Sequence, residues 1–326
     1  MRAESQFATR SLMTILTPVR HLEARLAALP GNARGAMWML ASALCFTAMT
    51  TLVKFLGDGY SPAVQTVYRQ LAGVALLAPM MIRQFPHVFH TSRMGILLFR
   101  AGAGTFAMIL SFYSFQVLPL ANANALSFTR TLWLVPLAAF VLGEALGTKR
   151  IVTALVGFSG VVLMVGTLGL DGQVSLAGQA AALTAALLFA LTITGMKVMV
   201  RDHSTLTILV YSTLLGLVFA LPVAVFQWVW PTWLDLGLLS AMGVIGVLTQ
   251  TCYVRGMAVG DAAAMAPIDY TRLVFAVIVG FAVFSEIPAW TTLVGAAVVI
   301  GATLFLTWSE SREARKLAEA KSPPAE

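Results

Sequence analysis

The chain has 326 residues, 59% of them hydrophobic and 11% charged, with a formal net charge of +7. Soluble domains carry about 25% charged residues, so a water-soluble globular fold is excluded. A bilayer span needs about 20 mostly apolar residues, which leaves room for roughly ten spans and little else.

In chain order, residues 1–34 read as a cytoplasmic tail without a signal-peptide core. The longest uncharged stretch there, 11–19, contains Thr and Pro and is followed by Arg20. Leu12, Ile15, Leu16 and Val19 recur at helical spacing between arginines, which fits a disordered tail or a segment lying on the membrane surface. Apolar windows then predict ten spans, near 35–56, 62–82, 95–117, 121–142, 151–170, 178–200, 206–229, 234–254, 262–284 and 290–308. The charged residues 309–326 form a second tail. Connections are short, so no soluble catalytic domain fits between spans. Cys45 and Cys252 lie inside apolar runs and offer neither a disulfide framework nor metal-ligand spacing.

Charge placement orients the spans. The odd-numbered connections carry no Lys or Arg, whereas the even ones carry Arg83, Arg93, Lys149, Arg150, Arg201 and Arg255, with Lys197 at the edge of the sixth span. With five arginines in the first tail and four basic residues in the last, 16 of the 21 Lys and Arg lie on one side. Both termini are therefore expected in the cytoplasm. The positive charge is accounted for by topology and implies no nucleic-acid partner. Trp228, Trp230 and Trp233 are expected at the external interface, as an aromatic belt.

The chain also repeats. Positions 35–79 align without gaps to 178–222 at an offset of 143, with 13 of 45 residues identical, among them Phe46/Phe189, Lys54/Lys197, Tyr68/Tyr211 and Pro79/Pro222. At an offset of 142, Phe128-Thr129-Arg130 faces Tyr270-Thr271-Arg272, Trp133 faces Phe275, and Glu144 faces Glu286. The fold class expected is an all-α membrane protein of ten helices in two five-helix repeats, 35–170 and 175–308. Five is odd, so the second copy enters the membrane inverted, a recurring plan of secondary transporters.

The duplicated unit, with Gly143-Glu144 followed by Gly157, Gly160 and Gly166, resembles the EamA branch of the drug/metabolite transporter superfamily from Gly35 to Trp308. The Lys54 region, Tyr68-Arg69 and residues 119–123 resemble its metabolite-uptake members; the second copy departs from the pattern with Ser285 before its glutamate. The resemblance implies a carrier of the cell inner membrane with a central cavity, without cofactor. It is compatible with organic acids and amino acids, or with uptake of a vitamin or nucleoside-type metabolite such as riboflavin or S-adenosylmethionine.

Charges inside spans single out the candidate site, since each costs roughly 2.5–3.5 kcal/mol at the bilayer centre on insertion scales. Lys54 and Arg100 lie near span ends, where they can snorkel. For Arg69, between Tyr68 and Gln70, a structural hydrogen-bonding role is preferred. Arg130 and Arg272 sit at mid-depth in matching positions and are the expected anchors for an anionic substrate. The neighbours expected with them are Trp133, Phe275, Tyr270, Tyr113 and Gln250, because guanidinium with aromatic walls suits a carboxylate or phosphate on a flat or apolar body. The competing reading pairs Arg272 with Asp269, three residues earlier. Asp269, the clear midspan acid, is the candidate for proton coupling. Glu144 and Glu286, at helix ends, are expected to meet headgroups or loop amides. The partners expected are a small-molecule substrate, the lipid bilayer and protons, for a monomer or homodimer. A channel or an intramembrane enzyme is disfavoured: there is no His-Glu-x-x-His, no Gly-x-Ser-x-Gly and no pair of intramembrane carboxylates.

Overall fold

The computed structural model describes residues 31–85, 89, 91, 94–142, 148–168, 175–199, 205–259 and 262–321. Among them the regular structure is helical: α1 Gly31–Phe55, α2 Pro62–Arg83, α3 Met94–Val117, α4 Leu120–Ser127, α5 Thr129–Leu142, α6 Thr148–Leu168, α7 Leu176–Met199, α8 Thr205–Val225, α9 Trp233–Val259, α10 Ala262–Asp269, α11 Thr271–Phe284 and α12 Trp290–Lys321. The N-terminal tail as far as residue 30 lies outside the described residues, as do Gly143, Glu144 and Arg201.

Eight segments are long and apolar enough to cross a bilayer: α1, α3, α9, the stretch Pro267–Phe284, and most of α6, α7, α8 and α12. Large apolar side chains cover the outside; Phe140, Phe226 and Trp233 are each about 90% exposed. Such a surface would aggregate in water but is solvated by lipid tails, and the protein is a multi-pass membrane protein. The two predicted spans that miss the length-and-hydropathy criterion do so for visible reasons. Along α2, Gln65, Arg69 and Gln70 dilute the hydropathy, and the fourth window, divided into α4 and α5, carries Asn122, Asn124 and Arg130.

That division differs from the uninterrupted windows expected at 121–142 and 262–284. Each is broken at a single residue, Phe128 in one and Tyr270 in the other, and the two are repeat-equivalent. The N–H of Phe128 reaches the Ala125 carbonyl at 3.2 Å, and the N–H of Leu273 reaches the Tyr270 carbonyl at 3.0 Å. Such i to i−3 closures are the tighter 3₁₀ type. Thr129 and Thr271 then donate to the carbonyls of Leu126 (2.7 Å) and Ile268 (2.6 Å). The hydroxyls supply these backbone acceptors where no bulk water can. Two further boundaries differ. Helix α1 begins at Gly31, inside the expected tail. Helix α12 continues past Trp308 to Lys321, because its polar end, rich in Ala, Glu, Lys and Arg, has high helix propensity.

The principal packing pairs are α1 with α9, α3 with α7, α2 with α8, and α6 with α12; α4 meets α11, where the Phe128 and Tyr270 rings touch edge to face at 4.7 Å. Helices α6 and α12 approach most closely at Gly160 and Gly295: a Cβ on Gly295 would lie 2.6 Å from the Gly160 carbonyl oxygen. Small residues at such crossings let backbones pack directly, the usual source of helix association in lipid. Of the three tryptophans expected in a belt, Trp230 and Trp233 are exposed. Trp228 instead turns inward to stack on Tyr68, with centroids 6.0 Å apart.

Candidate substrate cavity

Beside the two helix breaks lies a cavity of about 160 Å³, some tenfold what one water requires. Arg69 of α2, Arg130 of α5, Gln250 of α9 and Arg272 of α11 all line it. Phe46 of α1 and Phe189 of α7, identical residues at matching repeat positions, do so too. The breaks lie close to two of these cations, since Arg130 and Arg272 each come two residues after the interrupting aromatic.

Arg272 is 6% exposed. Its guanidinium lies 4.4 Å from the Phe128 ring centroid and 4.9 Å from that of Phe46. One Nη2 lies 3.8 Å from Asp269 Oδ2 and, at 3.5 Å, makes a long contact with Ser127 Oγ. Its Nε has no partner. Arg272 thus faces the cavity and has a carboxylate nearby. Asp269 is 16% exposed, in the next layer behind the arginine. The position matching Asp269 in the first copy is Ser127. Arg130 consequently lacks an acid one turn before it, and has no hydrogen bond or ion pair among the described residues.

The other expected neighbours are placed elsewhere. Trp133 packs edge-on against Phe158 of α6 at 4.8 Å, its Nε1 buried without a partner. Three residues along a helix rotate a side chain to about 60° from its reference, enough to turn Trp133 from the cavity toward α6. The Tyr270 hydroxyl bonds to Thr303 of α12. Phe275 and Tyr113, both half-buried, lie outside the cavity lining. The aromatic lining of the cavity comes instead from Phe46, Phe112, Phe115 and Phe189, and the only sequence sign among them was the identity of Phe46 with Phe189.

Two near-terminal cations also differ from expectation. Lys54 does not snorkel: Nζ forms an ion pair with Glu286, donates to the Leu118 carbonyl at 2.6 Å, and lies 5.4 Å from the Phe284 ring centroid. The other Glu286 oxygen accepts the Leu120 N–H at 2.8 Å, as expected of a carboxylate capping loop amides. A buried chain of partners is available to Lys54 because the ends of α1 and α11 converge on the turn before α4, and pairing there outcompetes reaching for water. Ser285, which stands where the first copy has Gly143, takes a left-handed conformation at φ 54°. Glycine adopts that geometry without penalty; here Ser285 takes it as the C-cap of α11, directly before Glu286. The guanidinium of Arg100 is likewise turned inward, onto Ser212 of α8. Glu144, and the side chain of Lys197, lie outside the described residues.

The EamA-like transporter family matches the chain twice, at residues 33–166 and 176–308. The S-adenosylmethionine uptake transporter of Rickettsia bellii (strain RML369-C) is 30% identical over 282 residues, covering 86% of this chain and 96% of that protein. The riboflavin transporter of Vibrio cholerae and the pseudopaline exporter CntI of Pseudomonas aeruginosa are each 26% identical, covering 87% and 84% of this chain and 96% and 95% of theirs. A crystal structure at 18% identity shares the fold, with a TM-score of 0.58 over 86% of this chain and 98% of that one. The chain belongs to the EamA-like transporter family.

Proposed function

We propose that this protein is an alternating-access carrier for a small metabolite bearing a carboxylate or another anionic group. The observation that carries the proposal is that Arg130 and Arg272, at matching repeat positions, line one cavity beside two helix breaks. Carriers bind cargo at the repeat interface on discontinuous helices, and an anion there offsets charge that is otherwise costly to bury. The packing pairs support two inverted repeats: exchanging the first five spans with the last five turns α1–α9 into α7–α3 and maps α2–α8 and α6–α12 onto themselves. The charge asymmetry supports both termini on the cytoplasmic side of the inner membrane.

The test is flux of labelled metabolites into proteoliposomes. Arg130→Ala and Arg272→Ala are expected to raise KM for a carboxylated substrate at least tenfold at unchanged protein content. Arg130→Lys should also weaken binding, since lysine keeps the charge and loses the planar fork. Alanine variants that transport at the wild-type rate, or a substrate lacking any anionic group, would sink the anion site and leave the carrier standing.

Asp269 is proposed as the protonated coupling group, because it is a carboxylate 3.8 Å behind a cavity arginine. Asp269→Asn should then abolish accumulation driven by a pH gradient while sparing much of the counterflow exchange. Normal accumulation by that variant would leave Asp269 a structural partner of Arg272.

A second reading is favoured by the 30% identity to the Rickettsia protein: uptake of S-adenosylmethionine or a similar nucleoside-bearing amino acid. Its carboxylate would meet the same two arginines, whereas its sulfonium would be repelled by them. Competition of unlabelled S-adenosylmethionine against carboxylate uptake discriminates the two.

A further inference from the structure

Arg69 is the cavity cation that the repeat does not duplicate. Its counterpart at an offset of 143 is Ser212, which serves as an acceptor for Arg100. A purely architectural arginine would be expected to find acceptors in the bundle, and Arg69 finds almost none. Nη1 donates to the thioether of Met108 at 3.2 Å, and Nε has no partner. Thioether sulfur is a weak acceptor, so the guanidinium keeps most of its hydrogen-bonding capacity unused.

Its path into the cavity is built for it. The stem crosses α9 at Gly246, where a Cβ would come 3.0 Å from Arg69 Nε and 3.1 Å from Met49 Sδ. Any larger residue at 246 would contest the space the guanidinium fills. Phe46, against Arg272, and Met49, beside Gly246, are three residues apart on α1, a rise of about 4.5 Å. Arg69 and Arg272 thus take neighbouring but separate places along one wall. Charge completes the case. Three guanidiniums line the cavity, and among the described residues a single carboxylate, Asp269, lies near them. Charge buried in a low-dielectric interior without a partner is strongly unfavourable, so two positive charges await compensation.

We propose that Arg69 is a second anion-binding residue, so that the transported metabolite carries two acidic groups, one met by Arg130 and Arg272 and the other by Arg69. This rests on the anion-site reading above and adds the substrate class, a compact dianion such as a dicarboxylate. It also predicts a selectivity unlike that of a carrier for a cationic nucleoside.

The test uses the purified full-length protein in detergent at pH 7 and fixed ionic strength, with glutarate and butyrate as probes of its thermal unfolding midpoint. Glutarate should bind at least tenfold more tightly than butyrate. In Arg69→Gln glutarate should bind no better than butyrate. Gly246→Ala keeps the charge but crowds Nε, and should reduce the preference several-fold; it also serves should Arg69→Gln fail to fold. Persistence of the full preference in both variants, or equal binding of the two acids by the unmodified protein, overturns the assignment of Arg69 alone. If neither acid stabilises the unmodified protein, the anion site itself fails with it.

Discussion

Glu286→Gln is expected to destabilise the protein by about 3 kcal/mol, the lower end of what breaking a buried ion pair costs. The Glu286 and Lys54 side chains are only 17% and 14% exposed, and the pair joins the end of α1 to the end of α11. Both partners also tie down the turn before α4, through the Leu118 carbonyl at 2.6 Å and the Leu120 N–H at 2.8 Å. Removing the carboxylate charge leaves a buried ammonium group with only neutral acceptors and the face of Phe284. Lys54→Met should cost a similar amount by stranding the carboxylate. The double variant Lys54→Met/Glu286→Leu should recover much of the loss, because an apolar pair of similar size carries no desolvation penalty. Thermal unfolding in detergent, arranged as a double-mutant cycle, reads the coupling directly. Single variants within about 0.5 kcal/mol of the unmodified protein, the range of an ordinary surface substitution, would show the pair to be incidental.

A larger effect is expected at the crossing of α6 and α12. Gly295→Val places a Cβ 2.6 Å from the Gly160 carbonyl oxygen and 2.4 Å from Met164 Cγ. Methionine can swing aside, but a backbone carbonyl cannot move without its helix. The helices must separate, losing the close packing that holds them together in lipid. Overpacking a core typically costs 1–3 kcal/mol, and a clash with backbone belongs at or above the top of that range. The expected outcome is little monodisperse protein recovered in detergent from Gly295→Val, with Gly295→Ala less affected. Adding Met164→Ala to Gly295→Val should not restore recovery. Full recovery in that double variant would assign the clash to the side chain and refute the backbone contact.

That Arg130 and Arg272 line one cavity was legible because a charge far inside an apolar window is costly wherever the helix packs, and because the repeat registers the two positions. Lys54 was misjudged for a related reason. Its nearness to the span end permits snorkelling, and only the convergence of α1 and α11 makes a buried carboxylate the better partner. Trp133 and Phe275 share a helical face with the arginines in an ideal helix. That face is broad enough for Trp133 to meet α6 instead of the cavity.

The amino-acid sequence by itself determined the membrane class, the long apolar segments, the duplication and the placing of cations within those segments. All of these follow from local hydropathy, charge and self-similarity, which need no knowledge of contacts. Tertiary structure alone decided that the apolar windows 121–142 and 262–284 break at Phe128 and Tyr270. It also decided that Arg69 shares a cavity with the repeat-related arginines, and that Lys54 is bound by Glu286. The physical reason is common to the three. A helix interruption, a cavity wall and an ion pair each depend on which distant side chain occupies the neighbouring volume, and in lipid, where apolar burial is nearly indifferent to the choice of partner, that is settled by close packing and hydrogen bonding between helices.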